Sequence, residues 1–369
     1  MKKFNLWLLL SLFVSAFMFT ACSSSDDDGQ GGGGDIPFIP VATKAAISGV
    51  VYNWGAPVSG VKVTVGANSV ITGYNGAFAF NQVSGNVVKF EKEGFATVTR
   101  QITETNQHFD VTLTEVQTES FSAATAKTFD VGWSGMKVAL PASYKDANGN
   151  AYTGTVTAKS AYLNPNNVDF PERMPGNLTA IRTDDSEAAL ISYGMVSVEL
   201  TGDAGQKLQP GSPATLIFPV DPTKMKVAPN NGDKMPLWSF DEDTGIWEEE
   251  GEATYDASLQ AYVGDVDHFS WHNLDYPEVR ATLNAKVVDN AGNPIVGIPV
   301  DFDGQRTAYT NADGIATCIV PSNTKMLIQV NSTAYGNYAE VIDEYGWPSI
   351  DETKIVKPLV STKNGRVKN

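Results

Sequence analysis

Two stretches of this 369-residue chain carry the same pattern, and that internal repeat constrains the fold more than any other feature. Val50-Val51-Tyr52-Asn53-Trp54-Gly55-Ala56-Pro57-Val58-Ser59-Gly60-Val61-Lys62-Val63 matches a stretch 237 residues further on, Val287-Val288-Asp289-Asn290-Ala291-Gly292-Asn293-Pro294-Ile295-Val296-Gly297-Ile298-Pro299-Val300. Each reads as a strand, a tight Asn-x-Gly turn, a proline that cannot donate to a central ladder, and a second strand. After one inserted residue the match resumes, with Thr72-Gly73-Tyr74-Asn75-Gly76-Ala77-Phe78 against Thr310-Asn311-Ala312-Asp313-Gly314-Ile315-Ala316. Asn75-Gly76 and Asp313-Gly314 read as hairpin turns that need positive φ. One unit is therefore built twice, with something different between the copies.

The rest of the chain extends the strand pattern. No long stretch places apolar residues at i, i+3, i+4 and i+7, whereas short alternating runs of Val, Ile, Thr, Phe and Tyr recur between Asn-Gly, Gly-Asn and Asp-Gly turns. With 33 glycines and 19 prolines available to punctuate it, the chain is expected to be all-β, a tandem of β-sandwich modules. The sequence of strand, Gly-x-Pro-Val-x-Gly-Val-x-Val, Thr-rich strand and Asn/Asp-Gly-x-Phe resembles the carboxypeptidase-regulatory-like (transthyretin-like) domain. Val87-Val88-Lys89-Phe90-Glu91-Lys92-Glu93-Gly94-Phe95 looks like that family's closing strand with its Gly-aromatic turn. The resemblance implies seven-stranded sandwiches at 43–115 and 280–350, the second with fewer matches. It implies fold and not peptidase activity, because no His-x-x-Glu or His-Glu-x-x-His pair occurs. In the repeat Cys318 aligns with Phe80 and Ala316 with Phe78, inward positions of one strand, so Cys318 is expected to be a buried apolar thiol.

Residues 117–277 form a larger β-module. The succession Leu140-Pro141-Ala142, Gly194-Met195-Val196-Ser197-Val198-Glu199-Leu200, Leu237-Trp238 with Gly245-Ile246-Trp247, and His268-Phe269-Ser270-Trp271 is similar to ZU5-like modules of extracellular proteins.

The N-terminus speaks to location. Lys2 and Lys3 precede an apolar run, Leu6 to Phe19, too short to span a bilayer and suited to a signal-peptide core. Thr20-Ala21-Cys22 follows and resembles the lipobox of bacterial lipoproteins, although Phe19 and Thr20 depart from its strict pattern. The expectation is a signal peptide at 1–21, lipidation of Cys22, and a flexible Ser/Asp/Gly tether over 22–42. Acyl chains on Cys22 make membrane lipid a partner, since each buried methylene contributes about 0.8 kcal/mol. Asp26-Asp27-Asp28 resembles an export signal toward the outer face of the outer membrane, so the expected location is the outer membrane, lipid-anchored and surface-exposed. Residues 351–369, with Lys354, Lys357, Lys363, Arg366 and Lys368, are expected to form a basic C-terminal tail.

Charge excludes one class of partner. The formal net charge is −16, and removing residues 1–21 takes two lysines and leaves −18, which argues against a nucleic-acid partner. Only two cysteines exist, so with Cys22 lipidated Cys318 has no intramolecular partner.

Candidate sites are few. His268 and His272 are four apart, but on a strand that spacing is about 13 Å, too far to share an ion, so no metal is expected. Asp241-Glu242-Asp243-Thr244-Gly245 echoes a calcium loop without its later bidentate Glu and reads more simply as a hairpin turn. Glu248-Glu249-Glu250 reads as a solvated strand edge. No catalytic residue and no cofactor is expected, since no nucleophile elbow or phosphate loop occurs. Trp54 is the candidate ligand contact: a turn does not require an indole, and an exposed one can stack on a sugar or anchor a protein. Trp238 and Trp247 flank a hairpin and read as packing. The expected function is a non-catalytic surface binding or scaffold module for a carbohydrate or another envelope protein. The alternatives are a hydrolase using acids such as Asp241 and Glu248 in the middle module, or a structural subunit of a surface assembly.

Overall fold

The computed structural model describes residues 43–330, apart from Trp133, Asn290, Asn323 and Lys325, together with the backbone of the strands Val341–Tyr345 and Glu352–Val356. Cys22, the signal peptide and the tether lie outside the described residues. The described chain is nearly all strand, broken by one short helix, Phe170–Arg173, and one 3-10 turn, Pro222–Lys224.

In the first module the long strand Thr43–Asn53 pairs antiparallel with Ala77–Gly85 and parallel with Asn106–Thr112. A second sheet runs Asn68–Ile71, Lys62–Val65, Val87–Glu91, Val98–Gln101. Alternation puts Val61, Val63, Val65, Val88 and Phe90 between the sheets, where Phe90 meets Phe78 and Phe109 edge-on at centroid distances of 5.3 and 6.5 Å.

The strands described between residues 280 and 356 repeat this plan. Arg280–Val287 pairs antiparallel with Ile315–Pro321 and parallel with Glu352–Val356, and the second sheet runs Arg306–Tyr309, Pro299–Phe302, Met326–Val330, Val341–Tyr345. The strand Glu352–Val356 falls in the span expected to be a tail. Its reason is visible in the first module: the long strand has an edge of backbone groups that needs a partner, and Asn106–Thr112 supplies it there.

The two copies also correct the ungapped alignment of their turns. Val51 N–H donates to Gly76 O at 2.9 Å and Val287 N–H to Gly314 O at 2.7 Å, so Val51, not Val50, is the counterpart of Val287. The first turn is a two-residue hairpin, Trp54-Gly55, between the paired Asn53 and Ala56, with φ of 49° and 74° as a type I′ turn needs. The second is one residue longer and is closed by the Asp289 carboxylate, which accepts from Ala291 N and Asn293 N at 2.8 Å each. Packing is exchanged between copies as well. Gly49 faces Phe78, whereas Ala285 faces Ala316. A Cβ on Gly49 would lie 1.8 Å from Phe109 O, so only glycine fits there. Cys318, opposite Leu283, is buried and unpaired, and burial pushes its thiol up to about 12.

The middle module is one strongly curled sheet. Its main path runs Lys127–Val131, Met136–Leu140, Ala214–Pro219, Ala261–Val266, Ile246–Asp256, Lys234–Asp241, Trp271–Glu278, Glu187–Thr201, Thr155–Leu163, Gln117–Ser122. Residues from both ends of that path, such as Phe129 and Val138 with Val156 and Val198, share one core. Trp238 and Trp247 lie in a second cluster with Phe240, Trp271 and Phe170, which includes Ala96 of the first module. Ile246–Asp256 is flanked on both sides at Trp247 and Glu248 and again at Thr254, while beside Glu249 and Glu250 runs only the Lys234–Asp241 strand.

Polar seams join the three modules. Arg100 of the first module is buried and donates to Pro171 O at 2.8 Å and Gly176 O at 3.2 Å of the middle one. Gly176 N–H donates to Thr99 O at 2.8 Å, Trp271 Nε1 to Thr97 O at 2.9 Å, and Arg173 Nη1 to Leu113 O at 3.1 Å. Lys89 pairs with Glu242 at 2.6 Å. Toward the third module, Gln305 takes a hydrogen bond from Ser192 N and returns one to Ser192 O, and the buried Arg306 donates to Leu190 O. Tyr309 Oη bonds Asp110 Oδ2 at 3.1 Å, so the third module reaches the first directly.

Candidate functional site

The middle module gathers three chemistry-bearing side chains that the sequence keeps apart. After the strand Ala261–Val266 the chain bends at Asp267, His268 and Ser270 before Trp271–Glu278 begins. The Gln209 amide holds this bend, accepting from Phe269 N at 2.7 Å and donating to Phe269 O at 3.2 Å. The bend folds His268 back toward His272, and their ring centroids are 5.3 Å apart. The 13 Å expected for residues four apart on a strand is therefore corrected: Phe269-Ser270 is a corner, not extended strand.

Glu250 arrives from another strand. The register runs Pro236↔Glu252 and then Trp238↔Glu249, so Leu237 alone faces both Glu250 and Gly251. Such a bulge re-aims its side chain, and Gly251, at φ 70°, supplies the left-handed residue it needs. Across the same Lys234–Asp241 strand, Ser239 pairs with His272. Glu250 Oε2 lies 3.1 Å from His268 Nε2 and 3.6 Å from His272 Nε2, and one donor atom of each residue falls within 4.8 Å of the others. His272 is fully buried with no well-formed hydrogen bond at either ring nitrogen, and Glu250 Oε2, also buried, faces both imidazoles. The two imidazoles hold the Glu250 carboxyl far below the usual carboxylate range. The Glu250 carboxylate raises His268, with burial opposing it, while burial lowers His272. Eighteen residues and a bulge separate Glu250 from His268, so no local spacing announces the cluster.

Trp54 projects from its hairpin with 79 % of its surface exposed. The Arg173 guanidinium lies 5.2 Å from its ring centroid, itself fixed by Asp169 at 2.7 Å. One face of the indole thus rests on the middle module and the rest meets water.

The other candidates are dispersed. Asp241 caps its own turn, accepting from Asp243 N at 2.8 Å and Thr244 Oγ1 at 2.9 Å. Glu248 is exposed, and Glu249 receives both Nε and Nη2 of Arg182, at 3.0 and 3.2 Å. Asp241 is thus occupied by its own turn, and Glu249 by Arg182. A cleft of about 570 Å³ lies where the middle and third modules meet, lined by Tyr162, Tyr193, Lys226, Asp303 and Gln305 among others, and neither Asp241 nor Glu248 borders it.

No protein-family model matches the sequence. The chain is similar to cartilage intermediate layer protein 1 of Sus scrofa, 32% identical over 148 residues, which is 37% of this chain and 24% of that protein. It is similar also to cartilage intermediate layer protein 2 of Homo sapiens, 31% identical over 121 residues, which is 31% of this chain and 10% of that protein. The chain thus spans a quarter or less of these relatives. Among solved structures it matches the Bacillus anthracis TIE protein at 11% identity and TM-score 0.19, over 86% of this chain and 51% of that one. The major pilin SpaD of Corynebacterium diphtheriae matches at 12% identity and TM-score 0.19, over 86% and 98%.

Proposed function

We propose that the chain is a non-catalytic structural subunit of a bacterial cell surface, two β-sandwiches flanking a larger β-module, held as one body and displayed from a lipid anchor at Cys22. The reading takes the first and third modules as carboxypeptidase-regulatory-like sandwiches and the middle one as ZU5-like. The observation that carries it is the set of seams: a binding module needs only an exposed face, but buried Arg100, Arg173 and Arg306 spend their donors on carbonyls of neighbouring modules. A buried guanidinium is retained only where its hydrogen bonds are made, so these contacts fix one arrangement. Asp241 spends its carboxylate on its own turn, which favours a non-catalytic role. The matched relatives are proteins of a cartilage intermediate layer, in keeping with a structural part outside a cell. Trp54 is the residue we assign to contact with a partner, carbohydrate or protein.

Protease treatment of intact cells tests the reading. The wild-type modules are expected to be digested, and a variant with Asp26, Asp27 and Asp28 replaced by alanine to be protected. Protection of the wild type would confine the modules to the periplasm and end the surface role.

A further inference from the structure

Glu250, His268 and His272 make a geometry that an ordinary ion pair does not require. A single carboxylate and a single imidazolium suffice for a pair, and the partner then lies in line for a hydrogen bond. Here one carboxylate oxygen is shared between two imidazole nitrogens, at 3.1 and 3.6 Å. Zn²⁺ holds nitrogen and carboxylate oxygen at about 2.0–2.2 Å in a tetrahedron, which sets neighbouring donors roughly 3.3–3.5 Å apart. The two observed separations straddle that edge length.

His272 is fully buried, and neither ring nitrogen makes a well-formed hydrogen bond, Nε2 facing Glu250 Oε2 at 3.6 Å. An unmade hydrogen bond on a buried polar atom costs on the order of 1–3 kcal/mol, and native structures rarely leave one without a reason. A cation between the three side chains supplies a partner to His272 Nε2 and to Glu250 Oε2 together. The supporting backbone is also specialised, with a bulge at Glu250-Gly251 and a corner at 267–270 pinned by Gln209.

We propose that Glu250, His268 and His272 form a binding site for a divalent transition-metal ion, zinc foremost. Two imidazoles and one carboxylate select a borderline ion over calcium or magnesium, which prefer oxygen donors. With the His268 side chain 44% and the Glu250 side chain 31% exposed, the fourth position opens to solvent and takes water.

The test is titration of the full-length, untagged lipoprotein in detergent with Zn²⁺ against a competing chromophoric chelator, and with Co²⁺ by visible absorption. The chain has three histidines, so only His108 must be controlled for. One ion per chain is expected, with a Co²⁺ spectrum of four- or five-coordinate type and a rise in melting temperature on adding Zn²⁺. His268→Asn and Glu250→Gln, both at partly exposed positions, should each weaken binding at least tenfold, and His108→Asn should leave it unchanged. Because His272→Gln risks unfolding a buried position, the outcome does not depend on it. Absence of a one-to-one complex at 100 μM Zn²⁺, or binding unchanged in both His268→Asn and Glu250→Gln, would overturn the proposal.

Discussion

At Asp301 the chain places a half-buried carboxyl on a strand, Pro299–Phe302, and the cost is set by pH. Burial pushes its pKa from 3.8 up to about 6, with the Gly304 N–H opposing the rise and the Asp303 charge adding to it. The folded state therefore keeps a proton that the unfolded state has already released between pH 4 and pH 6. Stability from this group is full below pH 4 and falls as pH rises through that window. Asp301→Asn keeps an oxygen for the Gly304 N–H, 2.7 Å away, and has no charge to bury. Its advantage over wild type is expected to be absent at pH 4, to grow to on the order of 1–2 kcal/mol by pH 7, and to stay constant above. Urea denaturation of both proteins at pH 4, 5.5 and 7 measures it, and a difference independent of pH would show that the carboxyl titrates normally.

The turns show what a single element can and cannot announce. The type I′ hairpin of the first module holds Trp54 at φ 49°, where Asn is the usual occupant before glycine. A left-handed non-glycine residue costs about 1 kcal/mol, and the Arg173 guanidinium against the indole returns a similar amount. Trp54→Asn is thus expected to change stability by less than about 0.5 kcal/mol while lowering affinity for any ligand stacked on the indole. A loss of 2 kcal/mol or more in thermal denaturation would instead make Trp54 a clamp on Arg173 and remove the reason for reading it as a contact. The strand class, the repeat and the inward place of Cys318 were legible because period-two alternation and Gly-centred turns are local. The extra residue between Val287 and Ile295 was not, since an ungapped match of Val-Val hides which valine faces inward, and only the pairing to Gly76 and Gly314 decides it. His268 and His272 were misjudged for a related reason. Spacing gives a distance only once the backbone between is known, and the corner is made by Gln209, some sixty residues away.

Across the whole molecule, the question is whether the seams couple the modules or merely touch. Arg100 is the strongest case, because burial lowers its pKa to about 10 against the pull of the Glu172 charge, and its donors end on carbonyls of the other module. None of this was legible in the sequence: Arg100 follows Val98-Thr99 as any strand residue might, and its partners come from a stretch more than seventy residues on. If the seams couple, the described modules unfold together, and calorimetry of the wild type is expected to give one transition whose van't Hoff and calorimetric enthalpies agree. Arg100→Ala leaves two carbonyls without their donor in a dry interface and is expected to cost about 2–5 kcal/mol of coupling. The first module should then melt ahead of the rest, as a separate transition. Separate transitions already in the wild type would mean that each sandwich stands on its own core and that the arginines only orient them. In that case a structural role resting on rigidity would fail even if the chain is found at the cell surface. The two measurements divide the proposal cleanly, since protease accessibility reports where the body is displayed and calorimetry reports whether it is one body.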